Sequence, residues 1–275
     1  MPLLDQADRR SLKLRTVSAL VLAPVAVAAA WFGSPWLPIV TALAAAGMAW
    51  EWARLCRAGQ VGASGAALIA VVVTAVFAST LAGLAVGIMA TLAGAAFVSW
   101  TARREHDREP YWIPLGALWV AVPCILLLWL ARSEADGRLT LLWMFALVWA
   151  TDIGAYAIGR FLGGPRLAPR WSPRKTWTGL LGGALCAALA GWATARLLGV
   201  SPVLPLVLVS AGLAIVEQFG DLAESVAKRR FGVKDSSGLI PGHGGILDRL
   251  DGLLAVIPAV ALLTLIGGGS VLAWR

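Results

Sequence analysis

Five polar residues in the C-terminal half fall in one register. Glu217, Asp221, Glu224, Ser225 and Lys228 lie at i, i+4, i+7, i+8 and i+11. That spacing puts them on one face of a helix. The apolar run leading to them begins near Val203. At about 1.5 Å per residue Asp221 then lies roughly 27 Å along the helix, close to the ~30 Å thickness of a bilayer's hydrocarbon. Carboxylates so close together repel one another unless a cation sits among them. The plainer reading is a helix emerging into water, with Glu224 and Lys228 as an i,i+4 pair. Glu217 and Asp221, still inside the apolar stretch, favour a site, because charge at membrane depth is costly.

A second group follows directly. It comprises Lys228-Arg229-Arg230, Lys234-Asp235-Ser236-Ser237-Gly238, Pro241-Gly242-His243-Gly244-Gly245 and Asp248-Arg249-Leu250-Asp251. The glycines let backbone approach a ligand and offer N–H groups to phosphate. Asp248 and Asp251, three apart, share a face of any helix that begins there. Carboxylate oxygens without cysteine are hard ligands that suit Mg²⁺ or Mn²⁺ better than zinc. His243 stands within the polar glycine loop, which favours a functional over a structural role. A third group runs from Asp152, Ala155 and Tyr156 through Arg160 to Ser172-Pro173-Arg174-Lys175-Thr176-Trp177-Thr178. Its cations and hydroxyls open a helix, and a helix N-terminus beside Arg and Lys favours phosphate. Together the groups suit phosphoryl or nucleotidyl transfer to a membrane-embedded substrate. Residue chemistry alone names neither the nucleotide nor the lipid.

The elements that must position these groups are membrane helices. The chain has 275 residues, 59% of them hydrophobic and 14% charged, and its mean hydropathy is +0.78. Soluble domains carry about 25% charged residues, so soluble, disordered and collagenous classes are excluded. Charge-free runs long enough to span a bilayer predict about nine transmembrane helices in an all-α polytopic bundle. Thr16–Trp50 is broken by Gly33-Ser34-Pro35 and Ala58–Ala102 near Ser79–Gly83, giving two spans each. One span each is expected from Pro110–Ala131, from Leu139 to Gly159 with Asp152 inside it, and from Thr176–Ala195, Leu197–Val216 and Gly252–Trp274.

With the N-terminus cytoplasmic, nineteen of the 23 Lys and Arg residues fall on the cytoplasmic side, the expected sign of loop bias. Arg132, Arg138, Arg196 and Arg275 fall on the other side. The net charge of +8 is then a topology signal and a surface for anionic lipid heads, not a nucleic-acid footprint. Ala28-Ala29-Ala30 imitates a cleavage site, but an uncleaved first helix fits the loops better. Trp31, Trp36, Trp52, Trp100, Trp112, Trp171 and Trp274 fall at span ends, where indole anchors at the interface. Cys56, Cys124 and Cys186 lie in apolar runs as small packing residues. Residues 1–135 read as a helical scaffold without chemistry, in which Glu51 pairs with Arg54 at a helix end. Residues 136–275 form the catalytic region.

The run Ser225-Val226-Ala227-Lys228-Arg229 … Lys234-Asp235-Ser236-Ser237 … Leu239-Ile240-Pro241-Gly242-His243-Gly244-Gly245-Ile246-Leu247-Asp248-Arg249-Leu250-Asp251 resembles the signature of the phosphatidate cytidylyltransferase (CDP-diacylglycerol synthase) family. Gly220-Asp221-Leu222, the Ser172–Trp177 stretch, and Asp152 with Ala155-Tyr156 resemble it too. The likeness is specific over about residues 150–252. The chain departs from the pattern at Ala227, Arg174 and Thr178, the last standing where Glu or Gln is common.

The resemblance implies conversion of CTP and phosphatidic acid to CDP-diacylglycerol and diphosphate. It implies Asp221, Asp248 and Asp251 as metal ligands, with Mg²⁺ (or Mn²⁺) at two cation sites. Lys175, Lys228 and Arg229 would act on the leaving diphosphate or the phosphatidate head. Gly242, His243, Gly244 and Gly245 would cradle phosphates. Ser172, Arg174, Thr176, Ser225, Lys234, Asp235 and Arg249 would be further substrate contacts. A homodimer in the inner or plasma membrane, with the site facing the cytoplasm, is also implied. One alternative is a CTP-dependent polyprenol or dolichol kinase, or an archaeal CDP-lipid synthase. A cation-coupled transporter is a remote one, disfavoured by the one-sided placement of the acids and by the glycine loop.

Overall fold

The computed structural model describes residues 6–106, 109–133, 136–240 and 244–274. Pro241, Gly242, His243 and Arg275, all named above, lie outside the described residues. Nine α-helices occupy the described chain: α1 (Gln6–Phe32), α2 (Trp36–Cys56), α3 (Gly62–Ala82), α4 (Leu84–Arg104), α5 (Trp112–Ser133), α6 (Gly137–Leu162), α7 (Trp177–Leu198), α8 (Leu204–Arg230) and α9 (Leu247–Gly267). They fall where the nine charge-poor runs predict them. Seven, α3 to α9, are long and apolar enough to cross a membrane. In α1 the apolar part is shorter, Leu20–Phe32, and α2 carries Glu51 and Arg54 towards its end. The chain is a multi-pass, all-α membrane protein. Its outward side chains are those a lipid solvent demands, such as Leu81, Met89, Leu92 and Phe97 on α3 and α4.

Between α6 and α7 the chain forms a small antiparallel hairpin, β1 (Arg166–Ala168) with β2 (Ser172–Thr176). Arg166 pairs with Thr176 and Ala168 with Ser172. Thr176 then leaves the strand as the N-cap of α7, its Oγ accepting the Gly179 N–H at 3.1 Å. Such a cap satisfies one of the orphan donors of the first turn. The far end of α7 closes on Gly199, whose φ of +68° is the left-handed cap that glycine permits.

The residues group into two compact units. The first comprises Met1–Ala121 with Phe231–Leu250, and the second Val122–Arg230 with Asp251–Arg275. In the first, α1 packs on α2, α2 on α3 and α3 on α4. The contacts are made by small residues, as at Gly94 against Val71 and Gly87 against Ser79. Trp52 is buried here rather than anchored at an interface. It packs on Trp112, and its indole N–H donates to the Trp112 carbonyl at 2.8 Å. An internal acceptor makes the interface unnecessary for this indole.

In the second unit α7 packs between α6 and α8. Gly154 of α6 abuts Cys186 and the Gly182 carbonyl, and Gly191 abuts Ser210 of α8. The Ser210 hydroxyl also accepts the Trp143 indole N–H at 3.1 Å, joining α6 to α8.

Candidate active site

Helix α8 runs through to Arg230, so Glu217, Asp221, Glu224, Ser225 and Lys228 are all helical and share a face. Within the second unit this face meets three other elements. From β2, Lys175 reaches Asp221, with Nζ 2.5 Å from Oδ2. From α9, Asp251 stands close enough to Asp221 and Glu224 to interact with them electrostatically. From α6, Asp152 acts electrostatically on both Glu217 and Asp251. Ser225 Oγ donates to Asp221 Oδ1 at 3.4 Å, and Lys228 Nζ pairs with Glu224 Oε1 at 3.1 Å. Glu217 accepts from Gln218 Nε2 at 2.8 Å.

Two glycines make this convergence possible. A Cβ on Gly220 would stand 2.6 Å from the Ala255 Cβ and 2.9 Å from the Asp251 carbonyl oxygen. A Cβ on Gly252 would stand 2.6 Å from the Glu217 Cγ. Helices α8 and α9 therefore touch backbone to backbone beside Asp221 and Asp251.

Five carboxylates (Asp152, Glu217, Asp221, Glu224 and Asp251) thus gather with two ammonium groups, those of Lys175 and Lys228. The surplus is negative, and the donors are hard oxygens, which fits a divalent cation in type and charge. Among the described residues no three Asp, Glu, His or Cys side chains converge as a finished metal site.

The first unit holds the glycine-rich loop. Its ends are closed by paired backbone bonds between Ile240 and Gly244, at 2.8 and 3.2 Å. Asp248, in the first turn of α9, clasps it. Asp248 Oδ2 accepts from Ser236 N–H at 3.0 Å, Ser236 Oγ at 2.9 Å and Gly245 N–H at 2.8 Å. The Gly245 N–H, read from sequence as a phosphate donor, is thereby turned inward to a carboxylate. Gly244, at φ +87°, leaves room for the same oxygen, which an added Cβ would approach at 3.0 Å.

Glu51 overturns its sequence reading. It does not pair with Arg54, whose guanidinium donates to the Gly59 carbonyl and lies over Trp50. Glu51 is fully buried and accepts four hydrogen bonds from the loop and the start of α9. The N-terminal region, read as chemically silent, therefore supplies a site-shaping carboxylate. Its signal was a lone acid between Trp50 and Trp52, short of the helix end, where an emerging charge would not need tryptophan on both sides.

The remaining candidates are more open. Arg174, Arg229, Lys234, Asp235 and Arg249 are exposed, and Ser172 is half-buried on β2. Thr176 is committed to capping α7. Thr178, the departure from the family pattern, donates to the Gly163 carbonyl and shares a 3.0 Å bond with Thr176. It ties the end of α6 to the start of α7.

Comparison with known proteins gives one answer throughout. Residues 13–266 match the cytidylyltransferase family. A phosphatidate cytidylyltransferase of Brucella suis biovar 1 is 38% identical over 263 residues, covering 94% of this chain and 93% of that protein. One from Pseudomonas aeruginosa is 36% identical over 273 residues, covering 92% and 96%. One from Haemophilus influenzae is 44% identical over 127 residues, covering 44% of each.

Proposed function

The chain belongs to the cytidylyltransferase family, and from that premise we propose how its residues carry out the reaction. The protein converts CTP and phosphatidate to CDP-diacylglycerol and diphosphate. A phosphatidate phosphate oxygen attacks the α-phosphorus of CTP. The bond from that phosphorus to the bridging oxygen breaks, and diphosphate leaves with the electron pair. The nucleophile is already anionic near neutral pH, so the site needs no strong general base. Its work is positioning and charge neutralisation.

The observation that carries this reading is the Lys175–Asp221 pair within the carboxylate group on α8 and α9. A lysine held there has its ammonium beside the acids that a divalent cation would occupy. When phosphates arrive, Lys175 is placed to turn from Asp221 to a phosphate oxygen. Lys228, buried beside Glu224, and Arg229, exposed at the end of α8, bind the leaving diphosphate or the phosphatidate head. Arg174, Lys234 and Arg249 add positive charge that draws in the anionic substrates.

Asp221 and Asp251 would hold Mg²⁺ or Mn²⁺, and Asp248 is the candidate for a second ion. Bound there, the metal supplies neutralisation of the phosphate charge. The loop bias in Lys and Arg supports a cytoplasmic site in the cell membrane, where CTP is available, and the protein acts as a homodimer.

The test is turnover of CTP by purified protein in detergent–phosphatidic acid micelles, with the lipid product weighed by mass spectrometry. The expected product is a CDP-lipid with release of diphosphate. A product bearing a single added phosphate, on a polyprenol, would overturn the substrate assignment.

A further inference from the structure

We propose that Glu51 is a positioning residue for this reaction, acting as an N-terminal cap supplied in trans to α9 and as the anchor of Ser236 and Ser237. The proposal rests on the cytidylyltransferase reading only for its activity arm.

Oε1 of Glu51 accepts the Ser237 hydroxyl at 2.6 Å and the Ile246 N–H at 2.9 Å. Oε2 accepts the Leu247 N–H at 2.7 Å and lies 3.3 Å from the Ser236 Oγ. Ile246 and Leu247 open α9, and the N–H groups of a first turn have no partner within their own helix. An ordinary cap comes from the residue just before the helix. Here both N–H groups are met by a carboxylate of α2, 195 and 196 residues earlier. A full negative charge at that end also opposes the positive end of the helix dipole.

The contacts with the two serines tie the loop to the same carboxylate. Ser236 Oγ has one proton and two carboxylates within reach, Asp248 at 2.9 Å and Glu51 at 3.3 Å, so it links them. Gly245 is glycine for this reason, since a Cβ there would strike the Ser236 Oγ and the Glu51 carboxylate. Glu51 thus fixes where α9 begins, and with it the direction in which Asp248 leaves that helix. The partners of Glu51 are Ser236, Ser237, Ile246 and Leu247, none of them a reacting group. Glu51 acts through α9.

Gln in place of Glu51 keeps the size but turns one of two acceptors into a donor facing N–H and O–H donors. Glu51→Gln is expected to lower kcat by about tenfold or more, in line with the sensitivity of catalysis to small misplacements. KM for CTP should stay within about threefold, because no CTP contact is removed. Glu51→Asp, which keeps the charge, should recover much of the loss.

A second readout is independent of turnover. Tryptic cleavage after the exposed Lys234 should speed up in Glu51→Gln by about tenfold relative to wild type, as the anchored loop opens. If Glu51→Gln does not remain monodisperse in detergent, Ser237→Ala carries the test. It should raise cleavage less and, combined with Glu51→Asp, be non-additive. Wild-type kcat in Glu51→Gln, or unchanged cleavage at Lys234, would overturn the proposal. Failure of wild-type protein to make any CDP-lipid would instead overturn the function, leaving the cleavage arm to be read alone.

Discussion

Replacing Gly220 with alanine tests the close approach of α8 and α9 beside Asp221 and Asp251. The added Cβ would sit 2.6 Å from the Ala255 Cβ and 2.9 Å from the Asp251 carbonyl oxygen, whereas ordinary contact begins at 3.4 Å. Neither neighbour can swing away, since one is a Cβ and the other backbone. The helices must separate by roughly 0.8 Å at this point, an overpacking that costs about 1–3 kcal/mol. The catalytic loss should be larger than the loss of stability suggests, because a displacement of about 1 Å at a reacting group can reduce rate by ~10²-fold. Gly220→Ala should therefore lower CDP-lipid formation by about ten- to a hundredfold while its melting temperature in detergent falls by only a few degrees. Gly212 on the same helix provides the control, since nothing lies within 4 Å of a Cβ there. Gly212→Ala should keep wild-type turnover. Turnover of Gly220→Ala within twofold of wild type, or equal damage from Gly212→Ala, would show that the close approach of α8 and α9 does not set the rate.

Asp221→Asn and Lys175→Ala should each remove most activity, and added Mg²⁺ should rescue Asp221→Asn poorly. Near-normal product formation by either variant in the mass assay would exclude that residue from the site. Mg²⁺ without CTP should raise the melting temperature of wild-type protein, by mass action on the folded state, and raise it less in Asp221→Asn. Equal shifts in both would dissociate the metal from Asp221. Glu105, just beyond α4, feels burial that would raise its pKa. Hydrogen bonds from the Ser64 side chain and backbone, the Ala63 N–H and Arg57 outweigh that and bring it down to about 2 from 4.5. A depressed carboxylate stabilises the fold above the unfolded value, so its contribution is complete above pH 4.5 and fades as pH falls towards 2. Glu105→Gln should flatten melting temperature against pH across that window, and an unchanged acid slope would remove Glu105 from the account.

What could be read from sequence was whatever is local. The i, i+4, i+7 and i+11 spacing on α8 needs only helical periodicity, and Glu217, Asp221, Glu224 and Lys228 share a face as expected. The helix breaks at Gly33–Pro35 and Gly83 were legible because glycine and proline act within a residue or two. The partner of Asp221 was not legible. Lys175 lies 46 residues away on a strand; its cluster marks it as a cation for phosphate, but no spacing rule pairs it with Asp221. The hairpin itself was hidden, since strands of three and five residues are too short to show alternation among Pro, Gly and Arg. Trp52 and Glu51 failed for one shared reason. Their partners are remote in the chain, and near a span end an aromatic or an acid reads by default as an interface group.

The arrangement of α9 explains why an acid that belongs to the scaffold bears on chemistry. A helix turns about 100° per residue, so a shift of one residue at its start would carry Asp248 and Asp251 off their present face. Ordinary apolar packing resists such a shift weakly, because Leu, Val and Ala side chains repeat along α9 and offer near-equivalent registers. Two features remove that freedom. At the start, the carboxylate of Glu51 meets the N–H groups of Ile246 and Leu247, which fixes the residue at which α9 begins. One turn further, Gly252 lies against Glu217 while Gly220 lies against the Asp251 backbone, and any residue with a Cβ would be expelled. A directional hydrogen-bonded cap constrains the start of α9, and a steric keyhole constrains it beside Asp251. That double constraint is what a site built on carboxylates at membrane depth requires, because misdirected acids there would face lipid without a counter-charge.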